Sequence, residues 1–503
     1  MKKIIVLLIT IFLMVNAQSI GRTITAGWTT VDWQFSGPVY TRCRVNSLIN
    51  GIHICWVGDN GPKYNYYSFL TNTWNWPNGM NPISVNANLG GLDYDPINGS
   101  AEISLLTASG PCIAKDQQAG AGVFEYCYGP AGYGIGPIGT TNNQAIHITM
   151  NGYYSRIQPW CNWMPPIVII TGDYTGYNIA TSKMSNKVLI LWISPTVSGQ
   201  DQLFFSISND NGNTWGAAQL PFPPSVYLVP SYASLFAMFD NQDNLHIVAS
   251  VSDTAYAIPC EIWHYCPLNN PQWTLVHYYN AQTLNAPVGY NAVFATRPSI
   301  IQDPTTGYFY VAWEQFDSLN YESSTNLARA DIWVAELRNN GQTVYAKRKI
   351  TEPNTTSKRF PIVGGVFADT LVVNYLIDSV AGFSMYSQGR ITNNPVICHF
   401  VPIPFQAAID EQKDCDLNQL LFDIVPNPFT SQSIVNFSIP IATDISIQIY
   451  DESGRIIETL VSEHKQPGVY SYTLNSSSFA SGIYFCALKV KDKFITKKII
   501  KAN

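Results

Sequence analysis

The sequence predicts an all-β protein in which a ring of repeated four-stranded sheets is followed by a small β-sandwich. Three observations carry that expectation. A turn rich in Asn, Asp or Gly, followed by an alternating apolar strand, recurs along the chain up to about residue 401. No amphipathic helix of convincing length occurs between Gly21 and Val401. The composition favours strands and turns over helices, with 29 Tyr, 13 Trp, 34 Gly and 31 Pro among 503 residues.

The remaining bulk properties narrow the function classes. Hydrophobic residues make up 46% and charged residues only 12%, about half the usual charged share. The formal net charge is −6, and no Lys/Arg cluster of the kind that grips a phosphate backbone is present, so nucleic acid is not an expected partner.

At the N-terminus, Lys2 and Lys3 precede the apolar run Ile4 to Val15 and a small residue at Ala17, the pattern of a secretory signal peptide over residues 1–17. Twelve apolar residues are short for a membrane span, and no later stretch approaches about 18. No stable membrane span is expected after cleavage.

The repeat appears as INGIHICWV, INGSAEISLL, SNKVLILWI, NQDNLHIVASV, PTTGYFYVAWE and FADTLVVNYL. Its markers Ile52, Ala101, Val188, Leu245, Phe309 and Thr370 are 49, 87, 57, 64 and 61 residues apart. That spacing suits four-stranded blades, so residues 18–401 read as a six-bladed β-propeller. Seven blades is the alternative, because QAIHITMNGYYSRIQPW lies inside the 87-residue step and alternates like a strand pair. Asp95, Asp240 and Asp303 stand where a first strand gives way to its turn, placed to accept backbone N–H groups. One or two carboxylates per hairpin fall short of the six to eight oxygens calcium takes, so a structural calcium is the most these turns could hold and no cofactor is expected.

Ser208 to Trp215, SNDNGNTW, fits the pattern S-x-D-x-G-x-T-W at Ser208, Asp210, Gly212, Thr214 and Trp215. Asp210 is placed to accept turn amides, Gly212 to supply a positive φ, and Trp215 to seal the gap between adjacent blades. On this motif, with a degenerate echo at LTNTWNWP, the region resembles the sialidase-like (Asp-box, or BNR-repeat) propellers. The resemblance implies an external structural clip. It does not by itself imply catalysis, because fold does not carry function. The enzymes of that family need three arginines, a Tyr–Glu nucleophile pair, an acid and an early F/Y-R-I-P segment, and that segment is missing here. Arg42, Arg44 and Arg297 offer arginines, and Glu314, Tyr321 and Glu322 are the acid and nucleophile candidates; solvated loop carboxylates are the plainer reading of these. His53, His147 and His246 recur as IHI, IHI and LHI, a repeated packing position more than a metal ring, and no metal site is expected.

Ten cysteines are scattered without a C-x-x-C pair. In an exported chain Cys43/Cys55, Cys112/Cys127 and Cys260/Cys266 are the disulfide candidates, and Cys486 reads as a free core thiol.

After a linker at 402–419 the texture changes. Residues 420–503 show six or seven short alternating strands with turns at DESG, Gly468 and Gly482, a small Ig-like β-sandwich. Five marks follow in order: Pro426, Asn427, Pro428 and Phe429; IYDESGR with Gly454 and Arg455; PGVYSYTL with Gly468; SGIYF with Gly482 and Tyr484; and the basic KKIIK with Lys497 and Lys498. This segment resembles the C-terminal sorting domain of type IX secretion cargo. The resemblance implies export to the surface or beyond, with the type IX translocon as partner. The expected function is a secreted or cell-surface binding protein for an extracellular glycan or protein. The alternatives are a sialidase-like glycoside hydrolase acting at the propeller mouth and a structural surface-layer component.

Overall fold

The computed structural model describes residues 20–34, 40–79, 87–195, 201–219, 223–225, 229–253, 258–281, 284–405, 422–439, 443–465, 468–475, 479–490 and 493–502. The signal-peptide segment, Cys415 and most of the 402–419 linker lie outside them.

Between Arg22 and Pro402 the described strands form seven four-stranded antiparallel sheets. Each of the first six runs outward in chain order from an inner strand: Cys43–Asn46, Ala87–Tyr94, Ile138–Thr140, Gly176–Thr181, Val229–Phe239 and Ala295–Gln302. The seventh takes Ser357–Phe367, Thr370–Asp378 and Asn394–Pro402 from the end of this region and borrows Arg22–Thr29 as its outer strand. The sheet that the six repeat markers pass over is Ile138–Val168, inside the 87-residue step. Its two middle strands are the alternating segment QAIHITMNGYYSRIQPW behind the seven-blade alternative; its inner strand has only three residues and its outer strand two, which is why the sequence reads first as six blades.

Neighbouring inner strands touch around a common axis. The Leu92 amide donates to the Thr41 carbonyl at 2.7 Å, Asn178 Nδ2 to the Leu235 carbonyl at 3.1 Å, and the Val363 amide to Ser299 Oγ at 3.0 Å. Gly364 brings the seventh inner strand onto the first so closely that a Cβ there would fall 2.6 Å from Cys43 Sγ. Apolar side chains facing across the seams form the core, with Trp56, Trp313, Phe294 and Phe309 fully buried among them.

The expected turn chemistry is present. Asp95 accepts the Ile97 amide at 2.9 Å, Asp240 the Asn244 amide at 2.7 Å and Asp303 the Thr305 amide at 2.9 Å. Asp210 sits between the third and fourth strands of the fourth sheet, accepting Ser208 Oγ, the Thr214 amide and Thr214 Oγ1 at 2.8, 2.8 and 2.6 Å. Those bonds hold its carboxyl down at about 2. Gly212 has φ +81°, and Trp215 meets the Tyr154 ring of the third sheet edge-on at 4.7 Å.

The cysteine pairing differs from expectation. Cys127 bonds to Cys161, with Cα atoms 5.1 Å apart, linking the outer strand of the second sheet to a loop of the third. Cys43, Cys55, Cys112, Cys260 and Cys266 are free and buried, so none of the three short-range pairs forms; Cys486 is the expected free core thiol. Closeness in sequence misled because Cys43 and Cys55, and Cys112 and Cys127, turn into different core clusters from neighbouring strands, while Cys260 and Cys266 stand at opposite ends of one extended strand, about 20 Å apart.

The tail holds seven strands in two sheets, one of three strands (Phe422–Val425, Gln432–Ile439, Gly468–Asn475) and one of four. They enclose their own core around Phe429, Val435, Phe437, Ile447 and Leu488. Asn427 reaches the final strand, donating to the Lys498 carbonyl at 2.8 Å and accepting the Ile500 amide at 2.9 Å. Gly454 takes φ +81° in the Asp451–Arg455 hairpin, Tyr484 donates to the Ala480 carbonyl at 3.0 Å, and Lys497 pairs with Asp423 at 2.7 Å.

Candidate functional site

Of the catalytic candidates, Arg297, Glu314, Tyr321 and Glu322 fall in two separate places. Arg297 and Glu314, on the first and second strands of the sixth sheet, are sealed inside with Arg359 of the seventh. Arg297 Nη1 pairs with Glu314 Oε1; Arg359 Nε lies 3.3 Å from Oε2, and the Phe360 amide donates to the same oxygen at 2.7 Å. Burial alone would raise the Glu314 carboxyl, but the pull of Arg359 and Arg297 outweighs it and holds the group below its usual range. The ring of Phe360 lies 4.9 Å from the Arg297 guanidinium carbon, and those of Phe316 and Phe383 lie 4.8 Å from that of Arg359. Arg297 and Phe360, each followed by a proline, have φ +53° and +59° at bulges in their inner strands. Such conformations persist where surrounding contacts over-determine them. Both Glu314 oxygens are occupied and the side chain has no exposed surface.

Tyr321 and Glu322 end the long strand Phe309–Glu322. The Tyr321 side chain is exposed, while Glu322 accepts Arg329 Nη2 at 2.7 Å and Ser324 Oγ at 3.0 Å. Glu322 borders an open groove of about 1000 Å³ between this hairpin and the loop of the seventh sheet, lined among others by Ser324, Arg329, Ser387, Gln388 and Arg390. Beside it the same loop carries an aromatic cluster. Trp33 meets Phe383 at 4.5 Å and Tyr386 at 4.9 Å, and Tyr290 lies over Tyr386 at 4.2 Å. Tyr290 and Tyr386 are exposed, and Gln388 joins cluster to groove by accepting the Tyr290 amide at 3.1 Å. Sequence reasoning passed over Trp33, Tyr290, Tyr386 and Arg390. The only signal was aromatic residues in segments that do not alternate, such as GFSMYSQGR.

A second cavity, about 270 Å³, lies on the axis and is lined by residues from all seven inner strands. Lys183 and Arg44 on its wall share the buried Asp93, at 2.8 Å and 3.4 Å. Burial would raise Asp93, but those cations hold it low. Lys183 also donates to the carbonyls of Tyr94 and Thr140, so its three protons are all used. Arg42 is buried against the Gly90 and Leu89 carbonyls, and burial lowers it to about 10.

Among the described residues no group of three His, Cys, Asp or Glu side chains is placed to hold a metal ion. The repeated histidines are tied up locally: His53 with Tyr64, His147 with Tyr154 and His246 with His264, at 2.7, 2.7 and 2.9 Å.

Residues 423–502 match the secretion system C-terminal sorting domain. A sorting domain of this kind supports export by type IX secretion to the cell surface or extracellular space. No helix among the described residues is long and apolar enough to cross a membrane. No curated protein matches the sequence. Among solved structures the chain is similar to the Dos1 propeller, at 8% identity over 83% of this chain and 92% of that one, with a TM-score of 0.38. It is also similar to PorZ, described as an essential bacterial surface component of the type-IX secretion system of human oral-microbiomic Porphyromonas gingivalis (10% identity, 90% and 74% coverage, TM-score 0.17). A third is a thermostable family-43 glycoside hydrolase (11% identity, 65% and 98% coverage, TM-score 0.31). Likenesses this distant say nothing of activity.

Proposed function

We propose that this is an exported glycan-binding protein without chemistry of its own. In this reading residues 1–17 are a cleaved signal peptide and 18–401 a seven-bladed propeller of the sialidase-like kind. Residues 402–419 are a linker, and 420–503 are an Ig-like sandwich whose marks from Pro426 to Lys498 are read by the type IX translocon. The ligand lies on the face that carries the groove. The observation that carries the reading is the exposed Tyr290–Tyr386 pair, backed by Trp33, continuous with an open polar groove. Aromatic faces pack on the C–H surfaces of sugars, while Gln388, Ser387 and Arg390 offer hydrogen bonds to hydroxyls.

The sialidase-like hydrolase alternative requires an accessible acid beside its Tyr–Glu pair, and Glu314 is closed off by Arg297 and Arg359. Purified protein on a glycan array, run beside a panel of fluorogenic glycosides, tests the proposal. Retention of a glycan subset without turnover is expected, and turnover of any glycoside would overturn it.

A further inference from the structure

Beneath the groove lie three buried polar atoms with no hydrogen-bond partner: Asp378 Oδ2, Asn394 Nδ2 and Arg359 Nη2. Asp378 closes the strand Thr370–Asp378 and Asn394 opens the strand beside it, two positions beyond the paired Leu376 and Val396. The other Asp378 oxygen accepts the Val380 amide at 3.2 Å, and Asn394 Oδ1 accepts the Ser379 amide at 3.1 Å; Ser379 and Val380 are groove wall. The charged groups facing Asp378 are Arg359 from the seventh inner strand, Asp32 following Arg22–Thr29, and Glu322 ending the long strand of the sixth sheet. Arg329 offsets Glu322, and Glu314 holds Arg359. Burial foremost, with repulsion from Asp32 and Glu322, pushes the Asp378 carboxyl up to about 7 against the pull of Arg359.

We propose that Asp378 is a proton-operated latch on the loop Ser379–Arg390 that walls the groove. The proposal rests on reading that groove as the ligand site. Protonated, Asp378 is neutral and Arg359 stays on Glu314. Ionised, it adds a third carboxylate beside Asp32 and Glu322, and the unused Nη2 of Arg359 is the nearest compensating charge. Drawing Arg359 over moves Phe383, whose ring lies 4.8 Å from the guanidinium, and Asp32 anchors the same loop by accepting the Ser384 amide at 2.7 Å. Trp33, packed on Phe383, reports the motion.

The test is a fluorescence titration of the full-length protein from pH 5.5 to 8.5, taken as the difference between wild type and Trp33→Phe. We expect a transition with a midpoint near 7 that vanishes in Asp378→Asn. Should that variant fail to fold, Asp32→Asn, which removes one repelling charge, is expected to lower the midpoint. A flat difference trace, a transition that survives Asp378→Asn, or a midpoint unmoved by Asp32→Asn would overturn the latch. No ligand is needed, so failure of glycan binding at every pH would refute the binding proposal separately.

Discussion

His53 Nδ1 lies 2.7 Å from the Tyr64 hydroxyl while its Nε2 lies 2.9 Å from the Gly99 carbonyl. The Nε2 proton is therefore given to the carbonyl, and the tyrosine donates to Nδ1, which leaves the ring neutral. His147 repeats the arrangement with Tyr154, and burial lowers the two rings to about 4 and about 3. Because these values lie below that of an unfolded histidine, the unfolded state takes up protons first. The stability they contribute is full above about pH 6.5 and is lost as pH falls toward 4. Each histidine costs up to about 1.4 kcal/mol per pH unit in that window. Asp378, raised, runs the other way between its unfolded value and about 7, and offsets part of the loss. A urea midpoint lower at pH 5 than at pH 7 is expected, and an unchanged midpoint would count against the neutral pairs.

Gly212→Ala probes the seam between the third and fourth sheets. A Cβ there would fall 1.8 Å from the Tyr154 hydroxyl, on a backbone at φ +81°, and so break the Tyr154–His147 bond. A loss of about 1–3 kcal/mol is expected from strain and the displaced buried hydroxyl, read in the urea midpoint.

Glu314→Gln separates structure from chemistry. Removing the charge leaves Arg297 and Arg359 buried without a counter-ion, which typically costs about 3–5 kcal/mol. The urea midpoint should fall. A variant as stable as wild type would show that the clasp is not structural.

The cysteines can be assigned by alkylation and peptide mapping. Cys127–Cys161 should be recovered as a disulfide, with Cys43, Cys55, Cys112, Cys260, Cys266, Cys398 and Cys486 labelled only after unfolding. Replacing Cys127 and Cys161 by serine is expected to cost about 2–4 kcal/mol.

Local chemistry was the legible part of this molecule. Asp95, Asp210, Asp240 and Asp303 sit in turns whose bonds follow from side-chain reach, and Gly212 and Gly454 take the positive φ their turns require. The marks from Asn427 to Lys498 were legible as short motifs in fixed order, although Asn427 and Lys498 meet only across the folded tail. What escaped depends on partners brought from far along the chain. Cys127 meets Cys161 across a seam, and Arg359 reaches Glu314 from the next sheet. Trp33 meets Tyr290 and Tyr386 only once the first strand has joined the last sheet. The sheet Ile138–Val168 was legible only through the alternation of QAIHITMNGYYSRIQPW, its two middle strands, because its inner strand has three residues and its outer strand two.

The central claim is that the exposed aromatic pair and its groove bind glycan without cleaving it. Affinity of the full-length protein for the strongest array ligand, measured by calorimetry for wild type, Tyr386→Ala and Arg390→Ala, tests it most directly. The account predicts saturable binding with unaltered ligand recovered afterwards, weakened at least about tenfold in both variants, equivalent to about 1.4 kcal/mol. Undiminished affinity in both variants, or recovery of cleaved ligand, would contradict it.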